Sequence, residues 1–287
     1  MAAVLAFLAS VVWGASDYLG GRASRRHSPV LVVGLAYAIA AASLVPVAAA
    51  SGTIAADGRY LPWAAGAGVL GAIGLVAFYR ALAVGTMGIV APIAGAGAVV
   101  PVLYGMGQGE RPGTAQLTGI GIAVVGVMLA GGPEFRIPDR RRPVVLAAAA
   151  GVCFGAVYVF LREGSRIDVT ATLLVMRLTS VLAIAGVLLV AGLATAWSLP
   201  RSILRTGFSF SPRDGAVIAA VGWLDVAANG LFAVASRSGM LSVVAVLASL
   251  YPAVTVVLAR LLDHERLRRG QAVGVALVLA SVPMLAA

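Results

Sequence analysis

The chain has 287 residues, of which 61% are hydrophobic and 11% charged. Soluble domains carry about 25% charged residues, so this composition, with a mean hydropathy of +1.00, excludes a disordered chain and an ordinary water-soluble enzyme. The net charge is +10 and all 21 basic residues are arginine, but they lie in short stretches between apolar runs. That placement fits the enrichment of cytoplasmic loops in basic residues and gives no basic domain that could dock on nucleic acid.

A hydrocarbon layer of ~30 Å, divided by 1.5 Å rise per residue, is crossed by about 20 apolar residues. Ten such runs are predicted, at 2–20, 30–50, 62–83, 86–107, 113–131, 143–161, 169–193, 214–235, 238–260 and 268–287. Turn chemistry or charge separates them: Arg22 to Pro29, Ser51 to Pro62, Gly85, Gly109 to Gly113, Gly132 to Pro143, Arg162 to Asp168, Ser198 to Pro212, Arg237 to Gly239, and Asp263 to Arg269. The first run has no basic residue before it and Arg22, Arg25 and Arg26 after it. A secretory leader has the reverse order, so this run reads as a transmembrane helix. The expected class is an all-α integral membrane protein of ten transmembrane helices.

The arginines divide between two sets of loops. Those after the odd runs hold 15, those after the even runs hold five, and Arg177 stands inside a run. Taken alone, this count puts the odd loops in the cytoplasm and both termini outside.

The chain also repeats itself. Glu110-Arg111, Gln116 and Gly119 recur as Glu265-Arg266, Gln271 and Gly274 at a constant offset of 155. Upstream, Met87 and Pro101 match Met240 and Pro252 at offsets of 153 and 151, and Trp13-Gly14-Ala15 matches Phe154-Gly155-Ala156 at 141. These matches predict two five-helix repeats, 1–132 and 143–287, joined by a charged linker at 133–143. An odd number of helices per repeat inverts the second copy in the membrane, a plan shared by many secondary transporters.

With these residues in order, the sequence resembles the EamA family of the drug/metabolite transporter superfamily. The resemblance rests on Trp13-Gly14, Phe78-Tyr79-x-Ala81-Leu82, Pro92 and Pro101. It also rests on Gly109-Glu110-Arg111…Gln116…Gly119 with its second copy Glu265-Arg266…Gln271…Gly274. The second copy departs at Asp263-His264, where Gly109 precedes Glu110 in the first. The resemblance implies ten helices, a central cavity between the repeats and movement of small metabolites or drugs across the plasma membrane. It also implies cytoplasmic termini, against the arginine count.

An ionisable group inside a bilayer costs at least ~2.5 kcal/mol, so each needs a reason to be there. Asp225 is the deepest, with Trp223 before it and Asn229 one turn on. It reads as a site for a proton or a substrate amine, or as half of an ion pair with Arg177. Arg177 would neutralise Asp225 or hold a substrate carboxylate or phosphate. Asp17 and its neighbour Trp13 read either as cavity residues or as an interfacial belt. The cavity candidates are Trp13, Asp17, Tyr37, Tyr79, Arg177, Trp223, Asp225 and Asn229, and a cavity carrying Trp13, Tyr37, Trp223, Asp225, Asn229 and Arg177 would suit an amphipathic zwitterion such as an amino acid. Glu110 and Glu265, each beside an arginine in a tight loop, read as hairpin caps or ion-pair partners. Pro92, Pro101 and Pro252 remove backbone hydrogen bonds inside runs four and nine and are the candidate hinges.

No catalytic set, metal or cofactor is expected. Cys153 is the only cysteine and lies in an apolar run, and His27 and His264 sit among arginines in loops. The absence of lysine rules out a Gly-x-x-x-x-Gly-Lys-Ser/Thr nucleotide loop, leaving a proton gradient or the substrate's own gradient as the energy source. The expected function is a secondary transporter, an exporter working by alternating access as a monomer or homodimer. The competing readings are a membrane-embedded transferase-type enzyme and a non-transporting assembly or sensor subunit.

Overall fold

The computed structural model of the chain describes residues 1–53, 57–84, 87–130, 142–198, 211–263 and 269–287. Among these residues the fold is helical throughout: α1 (Ala2–Ser24), α2 (Pro29–Ala50), α3 (Leu61–Val84), α4 (Met87–Gly95), α5 (Val99–Gly107), α6 (Thr114–Ala130), α7 (Arg142–Ile167), α8 (Val169–Ser198), α9 (Pro212–Ser238), α10 (Leu241–Ala248), α11 (Tyr251–Asp263) and α12 (Arg269–Ala286). Among the described residues, eight segments are long and apolar enough to cross a membrane, α10 and α11 counting as one, and two shorter apolar helices, Ile93–Gly107 and Thr114–Ala130, accompany them. The linker at 133–143 except its last two residues, most of the Ser198–Pro212 loop, and His264, Glu265 and Arg266 lie outside the described residues.

The boundaries differ from the sequence expectation in three informative places. Run four is not one helix: a 3-10 turn at Ala96–Ala98 parts α4 from α5, with Pro101 in the first turn of α5. Run nine is likewise parted at Ser249 and Leu250, just before Pro252 in the first turn of α11. A first-turn N–H has no acceptor within its own helix, so proline is tolerated there and starts a new helix. Pro92 falls within α4. Third, α7 continues through the expected break at Arg162 to Ile167, which keeps Arg162 and Glu163 on helical geometry.

Helices pair across the two halves of the chain. α3 packs on α7 and α8, while α1 and α2 pack on α9; α1 also meets α10 and α11, while α7 meets α4 and α5. α2 crosses α8, and α6 crosses α12. Small residues permit these approaches, as expected where lipid removes any hydrophobic drive between helices. At Gly14 an added Cβ would stand 2.6 Å from Val254 Cβ on α11, and the Thr255 hydroxyl donates to the Gly14 carbonyl at 3.2 Å. Large apolar side chains such as Leu103, Leu182, Leu189 and Leu279 are exposed on the outside. The largest buried side chain is that of Arg177. A buried guanidinium within a largely apolar core, and bare leucines outside, suit a protein surrounded by lipid.

Candidate functional site

The buried charged residues line a cavity of about 50 Å³. A water needs roughly 10–15 Å³, so the cavity in this state has room for only a few water-sized molecules. It is lined from seven helices: Trp13 and Asp17 on α1, Tyr37 on α2, Gly71 and Leu75 on α3, Phe154, Val157 and Tyr158 on α7, Met176 and Arg177 on α8, Asp225 and Asn229 on α9, and Tyr251 on α11. Trp13 and Asp17, like Asp225 and Asn229, are four residues apart and so share one helix face.

Asp225 sits halfway along α9 and is held from three sides. Arg177 Nη2 stands 2.6 Å from its Oδ2, and the Trp13 indole donates to its Oδ1 at 3.1 Å. The Asn229 amide, itself buried, donates to Oδ1 at 3.2 Å and to the Asp225 backbone carbonyl at 2.6 Å. The Arg177 side chain is fully buried, with its guanidinium carbon 4.5 Å from the centre of the Tyr37 ring. Its Nε and Nη1 meet no hydrogen-bond acceptor among the described residues. The guanidinium therefore brings more donors than Asp225 takes up. A second buried carboxylate, Asp17, is within electrostatic reach of Asp225.

Aromatic rings wall the charged groups. Trp13 lies 5.6 Å from Tyr158 and 6.0 Å from Phe232 between ring centres, and Tyr158 stacks on Phe232 at 4.7 Å. Phe78 meets Phe154 and Tyr251 edge-on.

Six of the eight sequence candidates thus come together: Trp13, Asp17, Tyr37, Arg177, Asp225 and Asn229. Trp223 does not. It is 56% exposed and its indole donates to Ser43 at 2.8 Å on the outer surface. The reason is angular: two residues along a helix are about 200° around it, so Trp223 and Asp225 point to opposite sides. Tyr79 is also outside the lining; it is fully buried with its hydroxyl against Gly20 of α1. Asp17 is not interfacial, because α1 continues to Ser24 and carries Asp17 into the packed interior. Tyr158, Phe154 and Tyr251 were missed. The repeat could have found two of them, since Phe154 and Tyr158 stand 141 residues after Trp13 and Asp17.

Outside the spans, Glu110 joins the halves. Gly109 adopts a φ of 90°, a left-handed turn that suits glycine, and the turn aims Glu110 at the start of α10. Its carboxylate accepts from the backbone N–H of Leu241 at 2.6 Å and of Ser242 at 2.9 Å, and from Arg162 Nη1 of α7 at 2.7 Å. Met240, the N-cap of α10, offers no side-chain cap of its own, so Glu110 supplies one. Burial would raise its pKa, but the donors from Ser242, Arg162 and Leu241 outweigh burial and hold Glu110 below the usual glutamate range. Its sequence counterpart, Glu265, lies outside the described residues.

Comparison with known proteins bears on the whole chain. One crystal structure superposes with a TM-score of 0.73, covering 99% of this chain and 94% of its own, at 18% sequence identity. At that identity the likeness speaks to the fold alone. No curated protein matches the sequence. The EamA-like transporter family matches twice, over residues 1–132 and 141–287. A multi-pass helical protein with a charged interior, matched over nearly its full length by that family, leaves one assignment: the chain belongs to the EamA-like transporters.

Proposed function

We propose that the protein is a secondary transporter, an exporter of a small metabolite or drug, that works by alternating access with the charged cavity as its binding site. The observation that carries this reading is the Arg177–Asp225 pair with Asp17, buried at mid-helix where charge is costly and a substrate pathway supplies the reason for it.

The lining supports the inverted repeat. Trp13 corresponds to Phe154, Asp17 to Tyr158, Tyr37 to Arg177, Gly71 to Asp225, and Leu75 to Asn229, at offsets of 140 to 154. Every member of these pairs faces the same cavity. The helix pairings are symmetric in the same sense: exchanging the halves turns α3 on α7 into α9 on α1, and leaves α2 on α8 and α6 on α12 unchanged. Five crossings per half would put the axis of this symmetry in the membrane plane. Duplicated halves provide two pseudo-symmetric states of one site, and the broken helices at Ala96–Ala98 and Ser249–Leu250 are the places where bending costs least. The small cavity volume agrees with a site that the helices must open to admit substrate. For the transferase reading, no group of three or more His, Cys, Asp or Glu able to hold a metal stands among the described residues.

The experiment is a metabolite comparison between cells with and without the protein. Export predicts that one class of small molecule falls inside the cells and rises outside when the protein is present. Unchanged pools on both sides would defeat it.

In a plasma membrane, the arginine count places the loop at 22–29 in the cytoplasm. Ser28, exposed at the start of α2, reports this once changed to cysteine in a Cys153→Ser background. It is expected to resist an impermeant thiol reagent in intact cells and to react after permeabilisation. Labelling from outside would reverse the assignment.

A further inference from the structure

We infer that a slot between α5 and α6 seats the hydrocarbon tail of a membrane lipid. On the transport reading above, the seated tail also holds both helix breaks in their present shape. The slot is a second cavity, of about 110 Å³, larger than the charged one and sharing no lining residue with it. One wall belongs to the first break, through Gly95, Ala96 and Ala98. The deep end belongs to the second, through the buried Val246 and Ser249. Gly95 shows how close these parts lie: an added Cβ would stand 3.3 Å from both Pro252 Cγ on α11 and Val127 Cγ1 on α6. The two breaks therefore face one another across a single apolar space.

The slot follows from the way the short helices pack. α5 and α6 are consecutive in the chain, yet α5 packs on α7 and α10 while α6 packs on α12, so the two part and leave a gap. Val99 and Leu103 on α5 are four residues apart, as are Val124 and Met128 on α6, and each pair forms a ridge along one helix face. All four line the cavity and are also exposed on the outer surface. The mouth thus opens onto the apolar exterior, which in a membrane transporter is covered by lipid.

The lining selects the occupant. Ser249 carries the only hydroxyl among the described lining residues, and that hydroxyl already donates to the Val246 carbonyl at 2.8 Å. The lining side chains therefore offer water no partner, and a buried water needs several. No charged side chain stands among the described lining residues to read a headgroup. Apolar cavities stay dry and take up apolar molecules. An empty slot would forfeit dispersion contacts along its walls, and the tail of an adjacent lipid is the apolar group at its mouth. Because both breaks form the walls, bending at either one changes the space that the tail fills. A ligand that fits one state better shifts the population toward it, so the seated tail favours the present state.

The test uses full-length protein in phosphatidylcholine vesicles containing a phosphatidylcholine with a photoreactive diazirine midway along one acyl chain. Cross-linked residues are mapped by mass spectrometry. Exposed residues such as Leu182 on α8 meet lipid in any case, but α10 is buried along its whole length. Labelling at residues 246–249 therefore requires a tail inside the slot, and it is expected in wild type. Ala123→Leu fills the slot from α6 and should lower that labelling several-fold while leaving Leu182 labelling unchanged. If this variant does not fold, Met128→Trp at the exposed rim narrows the mouth and decides in the same way. The same diazirine chain on phosphatidylglycerol should label residues 246–249 equally well. Absent labelling there in wild type, unchanged labelling in the slot variant, or labelling by only one headgroup class overturns the inference. Efflux should be slower in the slot variant, because leucine stays where a tail can leave; lost labelling with unchanged efflux overturns the holding role. Labelling at 246–249 in protein that moves no substrate through vesicles would instead sink the transport reading and leave the lipid site standing.

Discussion

Replacing Arg177 with leucine is expected to destabilise the protein by about 3–5 kcal/mol, because it leaves the buried Asp225 carboxylate without its cation. Trp13 and Asn229 would still donate to Asp225, but neither carries charge. The double variant Arg177→Leu/Asp225→Leu should recover most of that loss, since exchanging a whole buried ion pair for apolar side chains is often neutral or better. Transport should not recover with stability. Thermal unfolding of the two single variants and the double variant in detergent completes the cycle. A double variant no more stable than Arg177→Leu would mean that the two charges are not coupled.

The next largest effect is expected at Glu110. Glu110→Ala removes the acceptor of two backbone N–H groups at the start of α10 and the partner of a largely buried Arg162. Hydrogen bonds to charged groups contribute about 1.5–3 kcal/mol each at most, so a loss of about 2–3 kcal/mol is expected overall. The pH dependence has a definite sign. Glu110 is held below its ordinary range when folded, so its contribution is complete above the unfolded value and disappears as pH falls through the folded one. Wild type and Glu110→Ala should differ in melting temperature at neutral pH and converge in acid. A difference that stays constant with pH would assign Glu110 no electrostatic part in joining α10 to α7.

Much of this was legible in the chain because a bilayer makes simple demands. Apolar runs of spanning length pointed to the helices, though not to the breaks in runs four and nine, and the matched Glu110 and Glu265 segments pointed to the duplication. Mid-run charges singled out Asp225, Arg177 and Asp17, since few other reasons keep a charge there. What was not legible depends on angle and on distant partners. Trp223 was misplaced because proximity in sequence to Asp225 is not proximity on the helix face. Tyr251 reaches the cavity from a helix whose start is set by Pro252, and hydropathy does not register the break before it. Arg162 reaches Glu110 only because α7 runs past a charged stretch that reads as a loop. The repeat held unused information: carrying Asp17 forward by 141 residues lands on Tyr158, and carrying Tyr37 forward by 140 lands on Arg177.

The central claim is that substrate crosses the membrane through the cavity around Arg177 and Asp225. Proteoliposomes containing purified protein, loaded with the metabolite class identified in cells, test it by efflux. Wild type is predicted to release the compound faster than empty vesicles, and folded Arg177→Leu/Asp225→Leu no faster than empty vesicles. Efflux by the double variant at the wild-type rate would contradict the account.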